Sequence, residues 1–156
     1  MVLNGVMRFP SHMDAALDEA RAAAERGETP VGAVIVDSGT GAVVARAGNR
    51  TRELSDPTAH AEILAIRAAC AAAGSERLPG LDLYVTLEPC PMCAAAISAA
   101  RIRRLYYGAA DPKSGGVEHG ARVLSHPQAH HKPEVYPGLR ETEAATLLRD
   151  FFAERR

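Results

Sequence analysis

Two short motifs constrain this 156-residue chain more than any other feature of its sequence. The first is His60-Ala61-Glu62, and the second is Pro89-Cys90-Pro91-Met92-Cys93, which follows after a segment long enough for a helix and a strand. One imidazole and two thiolates can fill three corners of a tetrahedral zinc site and leave the fourth to water, while a carboxylate that is not a ligand can move protons. The motifs therefore predict an enzyme whose fold brings them to one point.

The composition is that of an ordinary globular protein, with 47% apolar and 24% charged residues. A chain of this length fits one compact domain, which we expect to cover residues 8–156. The net charge of -1 provides no long-range attraction for nucleic acid, so a polyanion would need a local cluster of basic side chains.

Three cysteines, two of them in C-x-x-C spacing, favour a metal in a reducing compartment over a disulfide framework. This pattern predicts a cytoplasmic protein. The sequence shows no signal peptide and no run approaching the roughly 18 apolar residues of a membrane span, so we expect no membrane partner.

Apolar periodicity predicts helices and strands in the order α, β, β, α, β, α, β, with a further helix at the end of the chain. Helical patterns end at Gly27, cover about 60–73 and 90–100, and begin again at 141, while strand patterns cover 31–36, 42–45, 81–87 and 104–107. Residues 111–138 are rich in Gly, Pro and His, which indicates a functional loop or a small helix followed by a short edge strand. The alternation implies an α/β domain with a mixed, about five-stranded sheet in a three-layer α/β/α architecture.

The predicted zinc ligands are His60, Cys90 and Cys93. The two cysteines stand at the start of a helix, where unpaired N–H groups and the helix dipole favour thiolates. His60 opens another helix, and the two helix starts can converge at one end of the sheet, where open α/β folds place their sites. Because residues two apart on a helix point in different directions, His60 must lie at the entry to the first turn if Glu62 is to reach the same site.

Glu62 is the predicted proton carrier. Two thiolates weaken zinc as a Lewis acid, so water bound there needs a base. Glu62 can take a proton from the water and deliver protons to a ring nitrogen and a departing amine, a role worth about 100 to 10,000-fold in rate. A lone H-x-E or C-x-x-C is weak support, because both occur in structural or redox sites, but together they form the signature of zinc deaminases.

With these residues the chain resembles the cytidine and deoxycytidylate deaminase superfamily, and within it the bacterial adenosine deaminases that act on tRNA. The resemblance extends from the first helix to Phe152 and is carried by Asn49 and by the segments Glu28-Thr29-Pro30-Val31-Gly32-Ala33, Asp56-Pro57-Thr58-Ala59-His60-Ala61-Glu62, Tyr84-Val85-Thr86-Leu87-Glu88-Pro89-Cys90, Met92-Cys93, Tyr107-Gly108-Ala109 and Asp111-Pro112-Lys113.

The resemblance implies a cytidine deaminase-like fold and a homodimeric hydrolase that converts the wobble adenosine of an arginine tRNA anticodon to inosine. It implies one Zn²⁺ per subunit on the three predicted ligands, with Glu62 as the proton shuttle. It further implies that Asn49 contacts the flipped base and that Asp111 and Lys113 lie near the backbone of the tRNA anticodon loop.

One segment departs from the family pattern. Gly115-Gly116-Val117-Glu118-His119 stands where bacterial relatives often have only small residues, and it could alter how RNA enters. Phosphates could be neutralised by a group of basic residues, which equally could cap a helix or be solvated: Arg101, Arg103, Arg104, Lys113, Arg155 and Arg156.

Two other functions stay open at this point. Pocket shape rather than the zinc ligands selects the ring, so the same fold could deaminate a free nucleobase or nucleoside such as guanine or cytosine. The chain could also be a non-catalytic, zinc-stabilised RNA-binding module, for which Glu62 would be dispensable and the fourth zinc position closed. A second metal site at His130-His131 is disfavoured, because no Cys or carboxylate stands at ligand spacing.

Overall fold

The structure is a computed structural model that describes residues 2–3, 6–7 and 12–155, so residues 8–11 and 156 of the predicted domain lie outside the described part. The elements, in chain order, are β1 Val2–Leu3, β2 Val6–Met7, α1 His12–Glu25, β3 Gly32–Asp37, β4 Val43–Gly48, α2 Ala61–Ala73, β5 Leu81–Leu87, α3 Pro91–Ala99, β6 Arg104–Ala109, a 3-10 helix Val123–Ser125, β7 Glu134–Tyr136 and α4 Glu141–Ala153. Strands β1 and β2 form a separate antiparallel pair, which the sequence pattern did not predict.

The main sheet has five strands in the order β4-β3-β5-β6-β7. Strand β3 is antiparallel to β4 and β5, whereas β6 runs parallel to β5 and β7. A parallel pair needs a crossover connection, and α3 supplies it between β5 and β6. The predicted mixed sheet is confirmed, including the small helix and the short edge strand within residues 111–138.

Apolar side chains fill both faces of this sheet. Because successive residues of a strand point to opposite faces, Ala33 and Ile35 of β3 pack in a cluster with α2 and α3, whereas Val34 and Val36 pack in a cluster with α1 and α4. The three-layer α/β/α architecture is therefore confirmed. No helix in the described part of the chain is long and apolar enough to cross a membrane.

The starts of α2 and α3 are the features that position the site. His60 is the N-cap residue of α2, with φ -72° and ψ 152°, and Cys90 is the N-cap residue of α3, with φ -69° and ψ 171°. Pro91 occupies the first turn of α3, where its missing N–H costs no helical hydrogen bond. As the N-cap residue, His60 lies at the entry to the first turn of α2, and its predicted position is confirmed.

Candidate active site

His60, Cys90 and Cys93 come together at the two helix starts. The Nδ1 atom of His60 lies 3.6 Å from the Sγ atom of Cys90 and 3.4 Å from that of Cys93, and the three atoms lie within 4.8 Å of one another. A tetrahedral site with Zn–S of about 2.3 Å and Zn–N of about 2.0 Å places nitrogen and sulfur about 3.5 Å apart. The donor types and their spacing therefore fit zinc.

The group of possible metal ligands stops at three. Within the described residues, no fourth His, Cys, Asp or Glu places a ligand atom within 4.8 Å of all three. Cys93 is buried, whereas His60 and Cys90 are half-buried and line a cavity of about 220 Å³. A structural zinc site closes its coordination with protein ligands, so this arrangement has the open form of a catalytic site.

The cavity gathers most of the residues that the sequence predicted. Asn49, Glu62 and Asp111 line it together with His60 and Cys90. The other lining residues are Thr29, Val31, Thr51, Leu87, Glu88 and Ser114. Lys113 is exposed, lies between the lining residues Asp111 and Ser114 in the sequence, and does not itself line the cavity.

Burial and hydrogen bonding give the site its electrostatics. Glu62 lies in the first turn of α2 with only 4% of its surface exposed, and this burial raises its pKa to about 7. Hydrogen bonding with Cys93, and then with His60, lowers the pKa of the Cys90 thiol to about 4 despite its partial burial. The site thus combines a thiolate, the form in which sulfur binds zinc, with a carboxyl group that can exchange a proton near neutral pH.

A buried carboxylate fixes the orientation of Asn49. The Asn49 amide nitrogen donates to Oε1 of Glu28 at 3.4 Å and to Oγ1 of Thr51 at 3.2 Å. Because a carboxylate accepts only, it selects the amide nitrogen and leaves the amide oxygen of Asn49 as the atom available to a ligand. Glu28 also accepts the backbone N–H groups of Arg52 at 3.1 Å and Glu53 at 2.7 Å, so it ties the loop after β4 to the cavity.

Glu88 has a corresponding place on the opposite wall. Its carboxylate accepts backbone N–H groups from the segment that carries Asp111, and it contacts the ring of His119 at 2.7 Å. Burial alone would raise the pKa of Glu88, but these hydrogen bonds outweigh burial and hold the pKa below its usual value. Sequence reasoning assigned no role to Glu28 or Glu88. The sequence signal that could have identified both residues is a carboxylate next to buried strand residues. Glu88 in addition stands directly before the cysteine motif.

Four of the six basic residues considered as phosphate contacts have partners within the chain. Arg103 binds Asp82 at 2.7 Å and Arg104 binds Glu134 at 2.6 Å, both at the end of the sheet opposite to the cavity. Arg101 donates to the carbonyl oxygen of Ala99, and Arg155 lies over the ring of Phe151. For Arg103 and Arg104 these contacts favour the alternative of surface side chains without a role at the cavity, while Arg156 lies outside the described residues.

Within the His130-His131 pair, His131 has a structural role in the loop. The His131 backbone N–H donates to Oγ of Ser98 at 2.9 Å, and the His131 ring contacts the carbonyl oxygen of Ile102 at 2.8 Å. These contacts attach the segment before β7 to α3, which agrees with the interpretation of His130-His131 as a loop pair.

Comparisons with known proteins agree with this geometry. Residues 9–109 match the family model described as the cytidine and deoxycytidylate deaminase zinc-binding region. The chain is 67% identical over 144 residues to the tRNA-specific adenosine deaminase of Agrobacterium fabrum strain C58, an alignment that covers 92% of this chain and 93% of that protein.

Solved structures extend the comparison to the fold. A chain from studies of A-to-I editing by tRNA:A34 deaminases at the wobble position of transfer RNA has 67% identity and a TM-score of 0.84, over 87% of this chain and 97% of that one. A guanine deaminase from Nitrosomonas europaea has 26% identity and a TM-score of 0.81, over 95% of this chain and 87% of that one. The resemblance is confirmed, and the chain belongs to the cytidine and deoxycytidylate deaminase family.

Proposed function

We propose that this protein is a zinc-dependent hydrolase that converts the wobble adenosine of a tRNA anticodon, that of an arginine tRNA, to inosine. The observation that carries the proposal is an open three-residue zinc geometry beside a buried carboxyl group, in a chain 67% identical to a tRNA-specific adenosine deaminase. An anticodon loop already displays unstacked bases, so the enzyme avoids most of the cost, about a few kcal/mol, of extracting a base from a duplex.

The chemistry assigns one part to the metal and the others to side chains. His60, Cys90 and Cys93 would hold the zinc, which would supply a bound water that becomes a nucleophile when a nearby base removes its proton. Glu62 would accept one proton from this water and donate it to the N1 ring nitrogen as the water oxygen bonds to C6. It would then accept the second proton from the new C6 hydroxyl and donate it to the amine as the C6–N bond breaks. Water and adenosine thereby give inosine and ammonia. A pKa of about 7 suits Glu62 to both accepting and donating.

The other walls of the cavity bind the substrate in this proposal. Asn49 offers its amide oxygen to the flipped base, because Glu28 and Thr51 engage its amide nitrogen. The Asp111 carboxylate accepts the N–H of Ser114 at 2.9 Å, which orients it at a turn beside the cavity. We assign Asp111 to the neighbourhood of the ribose-phosphate backbone of the RNA. The exposed Lys113 is free to approach a phosphate in the same region.

We extend the proposal to the organisation of the protein. Residues 8–156 form one zinc-dependent deaminase domain, which is supported by the two apolar clusters that share a single sheet. The active form is a homodimer in the cytoplasm, where tRNA is processed. Exposed or half-exposed small residues on α3, which are Ala95, Ala96 and Ala99, would allow a partner helix to approach closely.

A second candidate is a deaminase of a free base, favoured by the structural similarity to a guanine deaminase. One assay separates the two. The purified, zinc-loaded protein is incubated with an arginine tRNA anticodon stem-loop, and separately with free guanine, cytosine and adenosine. We expect inosine at the wobble position and no conversion of the free compounds. A stem-loop with guanosine at the wobble position is the matched control. The second candidate would be favoured if free guanine were converted while the wobble adenosine of the stem-loop remained unchanged.

A further inference from the structure

The segment after β6, residues 111–119, forms one wall of the cavity through Asp111 and Ser114. These nine positions contain turns and bends but neither helix nor strand, so ladder hydrogen bonds do not fix their backbone. Something else must hold the wall in shape, because polar backbone groups in a buried, irregular segment need partners.

Gly115 and Gly116 donate their N–H groups to the carbonyl oxygens of Asp111 and Pro89. Four further N–H groups of the segment have one common acceptor, the carboxylate of Glu88. Its side chain is fully buried. Its Oε1 atom accepts the N–H of Asp111 at 3.0 Å and contacts Nδ1 of His119 at 2.7 Å. Its Oε2 atom accepts the N–H groups of Val117 at 3.2 Å, Glu118 at 2.9 Å and His119 at 2.9 Å. One carboxylate therefore binds the first and the last residues of the wall at the same time.

Two glycines permit this close approach. A β-carbon at Gly115 would lie 2.5 Å from the carbonyl oxygen of Asp111 and 2.7 Å from the carboxyl carbon of Glu88, and one at Gly116 would lie 2.5 Å from the backbone nitrogen of Pro91. The wall thus rests directly on the carboxylate and on the start of α3, which carries Cys90 at its N-cap. This contact gives a structural reason for the glycine pair in the segment that departs from the family pattern.

We propose that Glu88 is a positioning residue, which holds residues 111–119 in the shape required for RNA before the RNA binds. This proposal rests on the proposed function, in which the ligand that contacts Asp111 is RNA. If only a fraction of the free enzyme molecules has residues 111–119 in the binding-competent shape, the apparent affinity for RNA is the intrinsic affinity multiplied by that fraction. The complex, once formed, has its normal geometry. Glu88 therefore acts on KM rather than on kcat.

The variant Glu88→Gln tests this role. The amide keeps one oxygen and turns the other acceptor into a donor, which then faces N–H groups that also donate. We expect KM for the stem-loop to rise about tenfold or more, with kcat changed less than about threefold, corresponding to a competent fraction of about a tenth or less. Amide hydrogen exchange of residues 111–119 in the free, zinc-loaded variant is expected to accelerate, while exchange in the core of β5 is preserved.

Asp82→Asn is the matched control. Asp82 is a buried carboxylate on β5, at the end away from the cavity, where it binds Arg103. Loss of this carboxylate destabilises the fold but does not change the contacts of residues 111–119. It therefore reduces the amount of active enzyme and the apparent kcat but leaves KM unchanged. Gly115→Ala is the complementary variant, because it keeps Glu88 and distorts the wall through contacts with the Asp111 carbonyl oxygen and the Glu88 carboxylate, and it should also raise KM.

The results separate this proposal from the proposed function. An unchanged KM in Glu88→Gln, unchanged exchange in residues 111–119, or a loss confined to kcat as in Asp82→Asn would each overturn the role of Glu88. Absence of inosine with the wild-type protein would overturn the proposed function. In that case the exchange measurement alone decides whether Glu88 holds the wall.

Discussion

Glu62 and Glu88 are both buried carboxyl groups beside the same cavity, but their surroundings give them different chemistry. Burial dominates at Glu62 and raises its pKa to about 7. At Glu88, hydrogen bonds from backbone N–H groups and from His119 outweigh burial and lower the pKa. The first residue is therefore suited to carry protons, and the second to remain an anion that binds a loop.

Replacement of Glu62 isolates the proton-transfer step. Glu62 is not one of the three residues whose ligand atoms fit zinc. The variant Glu62→Gln should therefore keep the metal and the fold but lack the base. We expect kcat for inosine formation to fall by about 100 to 10,000-fold. The measurement is single-turnover inosine formation, with zinc content determined on the same sample.

The matched control is Glu76→Gln, which changes an exposed carboxylate outside the cavity. This variant should retain wild-type activity. Activity of Glu62→Gln close to that of the control, with zinc still bound, would remove Glu62 from the mechanism.

At the level of residues, sequence predicted the groups with distinctive chemistry and missed their supports. His60, Cys90, Cys93 and Glu62 were predictable because few residue types bind zinc or carry protons, and their spacing is typical of such sites. Glu88 was not predictable, because its partners are backbone N–H groups 23 to 31 positions further along the chain. Backbone groups carry no residue-specific signal.

The contact between α1 and β3 depends on a residue without a side chain. A β-carbon at Gly32 would lie 2.0 Å from the carbonyl oxygen of Ala16 and 2.5 Å from the backbone nitrogen of Ala20. Gly32 also donates its N–H to Oγ1 of the buried Thr86, which fixes β3 at this point. The helix cannot move away without opening the cluster that contains Met13 and Leu17.

We therefore expect Gly32→Ala to destabilise the protein, because overpacking of a tight contact typically costs about 1–3 kcal/mol. The free energy of unfolding is measured by urea titration of the zinc-loaded protein. Gly39→Ala is the control, since the nearest atom to a β-carbon there is Oδ1 of Asp37 at 3.3 Å in an exposed turn. Equal stabilities of the two variants would contradict the close packing of α1 on β3.

The elements were predicted better than their order in the sheet. Strand β5 was predicted with its observed bounds, whereas β6 continues two residues further, to Ala109, because its burial extends to the edge of the site. Pattern alone could not place β3 between β4 and β5, since strand order depends on which apolar faces meet. The pair β1 and β2 was missed because two-residue strands are too short to show periodicity.

For the whole molecule, the candidate zinc site lies between the starts of two helices that are distant in the chain. A metal that binds the folded state and not the unfolded chain stabilises by about 4 kcal/mol at a thousandfold excess over its Kd. We expect a strong chelator to lower Tm and abolish activity, and added Zn²⁺ to restore both. Differential scanning calorimetry with and without the chelator makes the measurement.

A cysteine outside the site provides the control for this prediction. Cys70 is not part of the three-residue group, so Cys70→Ala should bind one zinc per chain and respond to the chelator as the wild type does. Cys93→Ala should have little response, because it lacks a ligand. A wild-type Tm that is insensitive to zinc removal would contradict a shared metal between α2 and α3.

The central claim is that an open zinc site in this fold deaminates a wobble adenosine. The most direct measurement is inosine formation at each position of an arginine tRNA anticodon stem-loop, read by mass spectrometry after incubation with protein of verified zinc content. We expect complete conversion of the wobble adenosine and none at a second adenosine placed elsewhere in the loop. A fully zinc-loaded, folded protein that leaves the wobble adenosine unchanged would contradict it.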